Sequence, residues 1–169
     1  MAVTVAARPG DVWPWLVQMG VDRAGLYSYT AVENGLLRLG VTNAGRIHPE
    51  WQDLKVGDII AFTPVGYPGG RRGPRVVELE QNRHLVLDSS PGAPPGTVTG
   101  TWQFVLHDAG PSGTRLLLRT RYGAGRPAGL RVTDFLLRPG YLVMDRAMLR
   151  GIKRRAEAEM HGPPTSAPR

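Results

Sequence analysis

Cysteine is absent from all 169 residues. Its absence excludes a disulfide framework, a thiolate nucleophile and any zinc or iron–sulfur centre held by cysteine. Aromatic residues are few, at 7% with three phenylalanines, so the position of each Trp and Tyr bears on where a core or a pocket lies. No apolar run of about 18 residues occurs, which removes a membrane-spanning helix from the expected elements. Residues 1–5 have neither the basic start nor the apolar stretch of a secretory signal, so a cytoplasmic location is expected. The four histidines, His48, His84, His107 and His161, include no pair on one helical face and no HExxH pattern. No metal and no cofactor are expected from that distribution.

What remains is 41% hydrophobic residues in a chain of one-domain length, so a single domain over 1–161 is expected. The formal charge of +7 raises the question of nucleic acid or an anionic membrane. Its densest part is Arg146, Arg150, Lys153, Arg154 and Arg155, mostly on the outer face of one amphipathic helix, which reads as a solvated face. Arginine well above lysine, with many Ala, Gly and Pro, also fits a GC-rich coding bias. The expected partners are therefore no nucleic acid and no stable membrane insertion, with the chain a monomer or weak homodimer.

Residues 2–7 alternate small and β-branched side chains before Arg8-Pro9-Gly10, which predicts a strand and a turn. A short helix with an aromatic face follows over 11–20, and a second over 29–39 with Val32, Leu36, Leu37 and Leu39 as its apolar positions. From Val56 the period changes to two. Strands are expected over 58–63, 75–80, 84–89, 101–107 and 115–122, separated by Gly, Pro and Asn. Trp102, Phe104 and Leu106 share one face and Thr101, Gln103 and His107 the other; Leu116, Leu118, Thr120 and Tyr122 alternate with Arg115, Arg119 and Arg121. A final helix over 139–160 carries the stripe Tyr141, Met144, Met148, Ile152 and Ala156, with Arg146, Arg150, Lys153 and Glu157 opposite. The prolines of 162–169 predict a disordered tail. Two glycine-rich segments, 66–73 and 123–129, lack the parallel βαβ context of a dinucleotide site and read as a hairpin loop and an entrance loop.

The order strand, two short helices, antiparallel meander, long C-terminal helix is that of an α+β helix-grip fold. The segments DVWPWLVQMG (11–20), RIHPEWQDLKVGD (46–58), TWQFVL (101–106) and MLRGIKRR (148–155) resemble the START-like polyketide cyclase and lipid-transport superfamily, SRPBCC, in a bacterial branch. The resemblance implies a curved sheet of six to seven strands around the C-terminal helix, with a cavity between them for a hydrophobic small molecule. Some such proteins are cyclases or aromatases and others carry or sense a ligand, so the fold alone does not choose. The implied function is a polyketide-cyclase-like protein of secondary metabolism acting on a hydrophobic, oxygen-bearing molecule. The alternative is a non-catalytic carrier or sensor of a lipid-like ligand.

Against that cavity, Asp145 stands out as a carboxylate on the inner helical stripe, where it costs energy unless paired or solvated. It is a candidate general base, with a structural bond to the helix entry or to the Trp13 helix as the alternative. Tyr29 and Glu33 are the other catalytic candidates, and Glu50 lies near the implied mouth. The expected ligand-binding set is Tyr27, His48, Trp51, Phe62, Trp102, Phe104, Thr120, Tyr122, Tyr141, Met144 and Met148, because Tyr and Trp join apolar area to a hydrogen-bonding tip. For His48 a surface loop residue beside Pro49 is the favoured reading.

Overall fold

The structure is a computed structural model that describes residues 1–28, 42–64, 66–67, 70, 72–89, 100–122 and the helix 128–161, with helix side chains over 139–160 and Tyr122 in backbone only. Five strands form one antiparallel sheet in the order β1-β5-β4-β3-β2: β1 Ala2–Val5, β2 Arg75–Glu80, β3 His84–Asp88, β4 Gly100–Asp108 and β5 Thr114–Tyr122. Two α-helices are described, α1 Pro9–Val17 and the long C-terminal α2 Ala128–His161, besides single 3-10 turns at Pro49–Trp51 and Gly110–Ser112. The second short helix expected over 29–39 lies outside the described residues, as does the tail over 162–169.

The period-two pattern decides which way each strand faces. Val3 pairs with Leu116, Leu106 with Leu116, Phe104 with Leu118, Leu85 with Phe104, and Val76 with Leu87. Every one of these side chains is on the inner face, and Arg115, Arg119 and Arg121 alternate to the exposed outer face. Leu85, Leu87, Phe104 and Leu116 are wholly buried.

The strand expected over 58–63 does not form a regular strand, which brings the described sheet below six to seven. The segment makes part of a ladder: Gly57 N donates to Val76 O at 2.8 Å, Ile60 N to Pro74 O at 3.0 Å and Phe62 N to Arg72 O at 2.7 Å. Pro74 has no N–H to return, so the pairing there is one-sided and only the bridge Ile59–Arg75 registers. Gly73 is required at this crossing, because a Cβ there would run into the Ile60 carbonyl.

α1 begins with Pro9 in its first turn, where Asp11 accepts from the Arg8 backbone N–H at 3.3 Å and pairs with its guanidinium at 3.0 Å. Its buried face, Val12, Trp13, Trp15, Leu16 and Val17, enters the core. The C-terminal helix starts eleven residues before the expected Pro139, which lies inside it. A mid-helix proline forfeits one backbone bond, and the apolar run before it sustains a helix on both sides of that gap.

α2 lies along the edge strand β1. Lys153 Nζ donates to Thr4 O at 2.6 Å and Ala6 N donates to Glu157 Oε1 at 2.7 Å. One helical i,i+4 step rises about 6 Å and two strand residues about 6.6 Å, so the two ladders keep pace. Lys153 and Glu157, expected on the water side, thus satisfy backbone groups that an uncovered edge would leave open. Gly151 permits the approach of α2 to the segment after α1, since a Cβ there would meet the Tyr27 carbonyl.

Candidate functional site

Across the sheet, inner-face residues form rows. Leu85–Phe104–Leu118 is one row and Leu87–Trp102–Thr120 the next along the strands. The first row is sealed, with Leu85 and Phe104 at 0% and Leu118 at 2% exposure. In the second, Leu87 is buried but Trp102 and Thr120 are partly open. Phe62 reaches Trp102 from beyond β2, ring centroids 5.4 Å apart, and Trp102 meets Phe104 edge-on at 6.1 Å. Phe62, Trp102 and Phe104 thereby form an aromatic cluster that runs from the sealed row to the open one.

Above the sheet, Met148, Leu149, Ile152 and Ala156 of α2 are buried and Met144 is half-buried, whereas Tyr141, Leu142 and Val143 are exposed. The helix therefore closes over the sheet through its C-terminal half. Asp145 is on the closing face at 7% exposure, and among the described residues nothing donates a hydrogen bond to its carboxylate. Burial pushes its pKa up to about 6, with the Met1 amine pulling weakly the other way. That amine donates to Leu118 O at 2.6 Å. The structural bond to the helix entry or the Trp13 helix is not made among the described residues.

Tyr27, His48 and Trp51 form a second group. Tyr27 is 1% exposed with φ at +57°; its hydroxyl accepts from Gln18 Nε2 at 3.0 Å and burial raises its pKa. Arg155 stands 4.8 Å above its ring centroid and donates to Ala44 O at 2.8 Å. Gln18, wholly buried, also takes the His48 N–H at 3.1 Å and the Gln52 amide at 3.2 Å on its Oε1. His48 stacks on Trp51 at 4.1 Å and its Nδ1 is 3.0 Å from Glu50. These residues bind the 42–52 segment to α1, and no described ring contact joins them to Trp102. The Gln18 hub was missed by sequence reasoning, although a glutamine on the apolar face of an aromatic helix is a readable signal. Tyr29 and Glu33 lie outside the described residues, and of Tyr122 only the backbone position opposite Gly100 is described.

Elsewhere an open groove of about 470 Å³ runs between the ends of α1 and α2, lined by Arg8, Gly10, Asp11, Pro14, Ile47, Glu159 and Met160. Among the described residues no cluster of His, Asp and Glu could hold a metal ion, and no helix is long and apolar enough to cross a membrane.

No family model and no curated protein matches the chain. Solved structures do. The Aha1 dimer from Colwellia psychrerythraea is 16% identical, with 93% of each chain covered and a TM-score of 0.50. A conserved protein of unknown function from Enterococcus faecalis is 15% identical over 99% of this chain and 75% of its own, also at 0.50. A Polyketide_cyc-like protein from Corynebacterium glutamicum is 15% identical, covering 95% and 91%, at 0.44. The chain shares the overall fold of the Aha1 and Enterococcus faecalis structures. At such identities the likeness is one of architecture, and any chemistry has to come from this chain's own residues.

Proposed function

We propose that the chain binds a hydrophobic, oxygen-bearing small molecule on the concave sheet face beneath α2, within a single ligand-binding domain over 1–161. The observation that carries the reading is the change along that face, from sealed leucine and phenylalanine to the partly open Trp102–Phe62 cluster. Open aromatic surface on an otherwise closed concave face is costly to leave in water and suits a flat apolar ligand. Phe62, Trp102, Thr120 and Met144 would supply the walls, with Phe104 and Met148, expected from the sequence to line it, buried behind them. Tyr29, Glu33 and Tyr122 belong to the proposal on the sequence pattern alone.

In this reading the protein acts in the polyketide-cyclase manner of the sequence resemblance, in the cytoplasm and without a cofactor. It would hold a reactive chain folded for cyclisation or dehydration, with Asp145 moving the proton. Asp145 supports that role because no described partner occupies its carboxylate. Carriage without chemistry is the other reading, and an Asp145→Asn protein that keeps full turnover would select it.

The binding claim is tested by titrating the neutral fluorophore N-phenyl-1-naphthylamine into wild type and Trp102→Ala. Saturable binding by wild type, weakened about 5-fold or more in the folded variant, is the expected outcome, since an aromatic pair between ligand and wall contributes about 1 kcal/mol or more. A folded wild type that shows no saturable binding, and no apolar molecule by native mass spectrometry after purification from its host, would overturn it.

A further inference from the structure

The outer face of the sheet carries its charges in two blocks. Alternation turns Arg115, Arg119 and Arg121 of β5 outward, and all three are exposed. On the far side of that face Glu78 and Glu80 of β2 are exposed, and Asp88 of β3 is half-buried. The register lines the two blocks up in rows: Arg119–Gln103–Val86–Glu78 is one, and Leu117–Val105–His84–Glu80 the next. Among the described residues no ion pair engages Arg119 or Arg121, whereas Glu78 and Glu80 meet only the imidazole of His84, at 2.9 and 3.7 Å, and the guanidinium of Arg83. A bare arginine ladder would suit any anion. A face with opposite signs at its two sides is complementary to itself.

Two sheets pack face to face about 10 Å apart with their strands within about 30° of one another. A two-fold axis along the strands, midway between β3 and β4, carries β5 of one copy over β2 of the other. Arg119 then meets Glu78 of the second copy at the same height, and Glu80 falls between the heights of Arg115 and Arg119; symmetry makes each contact twice. An axis across the strands would instead stack arginine on arginine. In the row beyond, Asp88 stands between Arg121 and Arg75, and Arg75 donates to Gly57 O at 2.7 Å.

We propose that this outer face docks a second copy of the chain, in an isologous dimer held by reciprocal Arg119–Glu78 pairs around a centre of Gln103, Val105 and Val86. Four strands and these rows cover about 20 Å by 20 Å, roughly 400 Å² on each copy, about half of what a stable interface takes. The dimer is therefore weak, with a Kd on the order of 100 µM. At physiological salt the Debye length of about 8 Å screens the repulsion between two copies of charge +7 more than it screens pairs in contact. The proposal does not depend on the ligand site, which lies on the opposite face.

Sedimentation equilibrium of the full chain, from about 10 µM to about 1 mM in about 150 mM NaCl, tests it. Wild type should show a monomer–dimer equilibrium. Arg119→Glu or Glu78→Arg alone should weaken it about 10-fold or more, because each sets like charges opposite one another. Mixed in equal amounts, the two variants should pair with each other at least as well as wild type does with itself, since one offers two acidic positions and the other two basic ones. Should a charge reversal fail to fold, Arg119→Gln and Glu78→Gln remove the pair more gently and should each weaken the dimer about 3-fold or more. A monomeric wild type at about 1 mM, a dimer that none of the variants weakens, or reversed variants that stay apart when mixed would overturn the proposal. A monomeric wild type retained on heparin, with retention lost in Arg119→Glu, would overturn it in favour of a polyanionic partner for the arginine ladder.

Discussion

Two ends of the inner sheet face differ in how far their side chains are buried. At the sealed end, Phe104, Leu85 and Leu116 have no solvent exposure and lie in the core cluster with Met148, Ile152 and Ala156 of α2. At the other, Trp102 and Thr120 stay partly open and the Ser89 hydroxyl has no partner among the described residues. The strands are the same three, β3, β4 and β5, and their alternation does not change along their length. The buried part of α2 spans Asp145, Met148, Leu149, Ile152 and Ala156, and the residues just before it, Tyr141 to Val143, are exposed. The leucine and phenylalanine row lies in the core cluster with α2, and the row of Trp102 and Thr120 stays partly open.

Phe104→Ala should break the sealed end most severely, at about 3–5 kcal/mol of stability, because a wholly buried ring leaves a cavity that the leucines around it cannot fill. Urea unfolding measures it; a loss below about 1 kcal/mol would erase the distinction between the two ends.

Asp145 comes next, through pH. Its folded pKa, about 6, lies above the ordinary carboxylate value, so the folded state holds its proton more tightly than the unfolded one. Its contribution therefore favours folding most below about pH 4, declines as pH rises through the window from about 4 to 6, and stays at its lower level above. The span is on the order of 2–3 kcal/mol. Asp145→Asn should remove that decline and leave the variant more stable than wild type at pH 7.5. Asp11 and Glu50, held below their usual range by Arg8 and by hydrogen bonding, bend the curve the opposite way. The wild-type-minus-variant difference between pH 4 and 7.5 is consequently the quantity to read, and a flat difference would show Asp145 to be solvated.

Trp102→Ala should cost less stability than Phe104→Ala, about 1–2 kcal/mol, because part of the ring is already in water, while its effect on probe binding is the larger of the two. If both variants lose stability equally, Trp102 is ordinary core. Thr120→Val, opposite Trp102 at the open end, should change stability by no more than about 0.5 kcal/mol, and a larger loss in unfolding experiments would mean that its hydroxyl is bonded.

Much of this was legible in the chain. Alternation in β4 and β5 settled their faces, since a strand turns successive side chains to opposite sides and one set there is apolar while the other, Val105 and Leu117 apart, is polar or charged. The amphipathic stripe of α2 likewise marked Met148, Ile152 and Ala156 for burial, and each is buried. Periodicity misplaced what depends on a second element. The 58–63 segment has a strand's pattern, yet its partner presents Pro74 instead of a donor. Lys153 and Glu157 look like solvent residues on a helical wheel, yet the β1 edge gives them backbone partners.

Sequence by itself determined the inner and outer faces of the strands, the apolar side of the last helix and the exclusion of cysteine chemistry, because each follows from local geometry or from composition. Only tertiary structure decided which inner-face residues are sealed and which stay open, that Tyr27 joins a Gln18–Arg155 network, and that Asp145 and Ser89 lack partners among the described residues. Burial and hydrogen-bond satisfaction are properties of pairs brought together from distant parts of the chain, and no period of two or 3.6 residues records who the distant partner is.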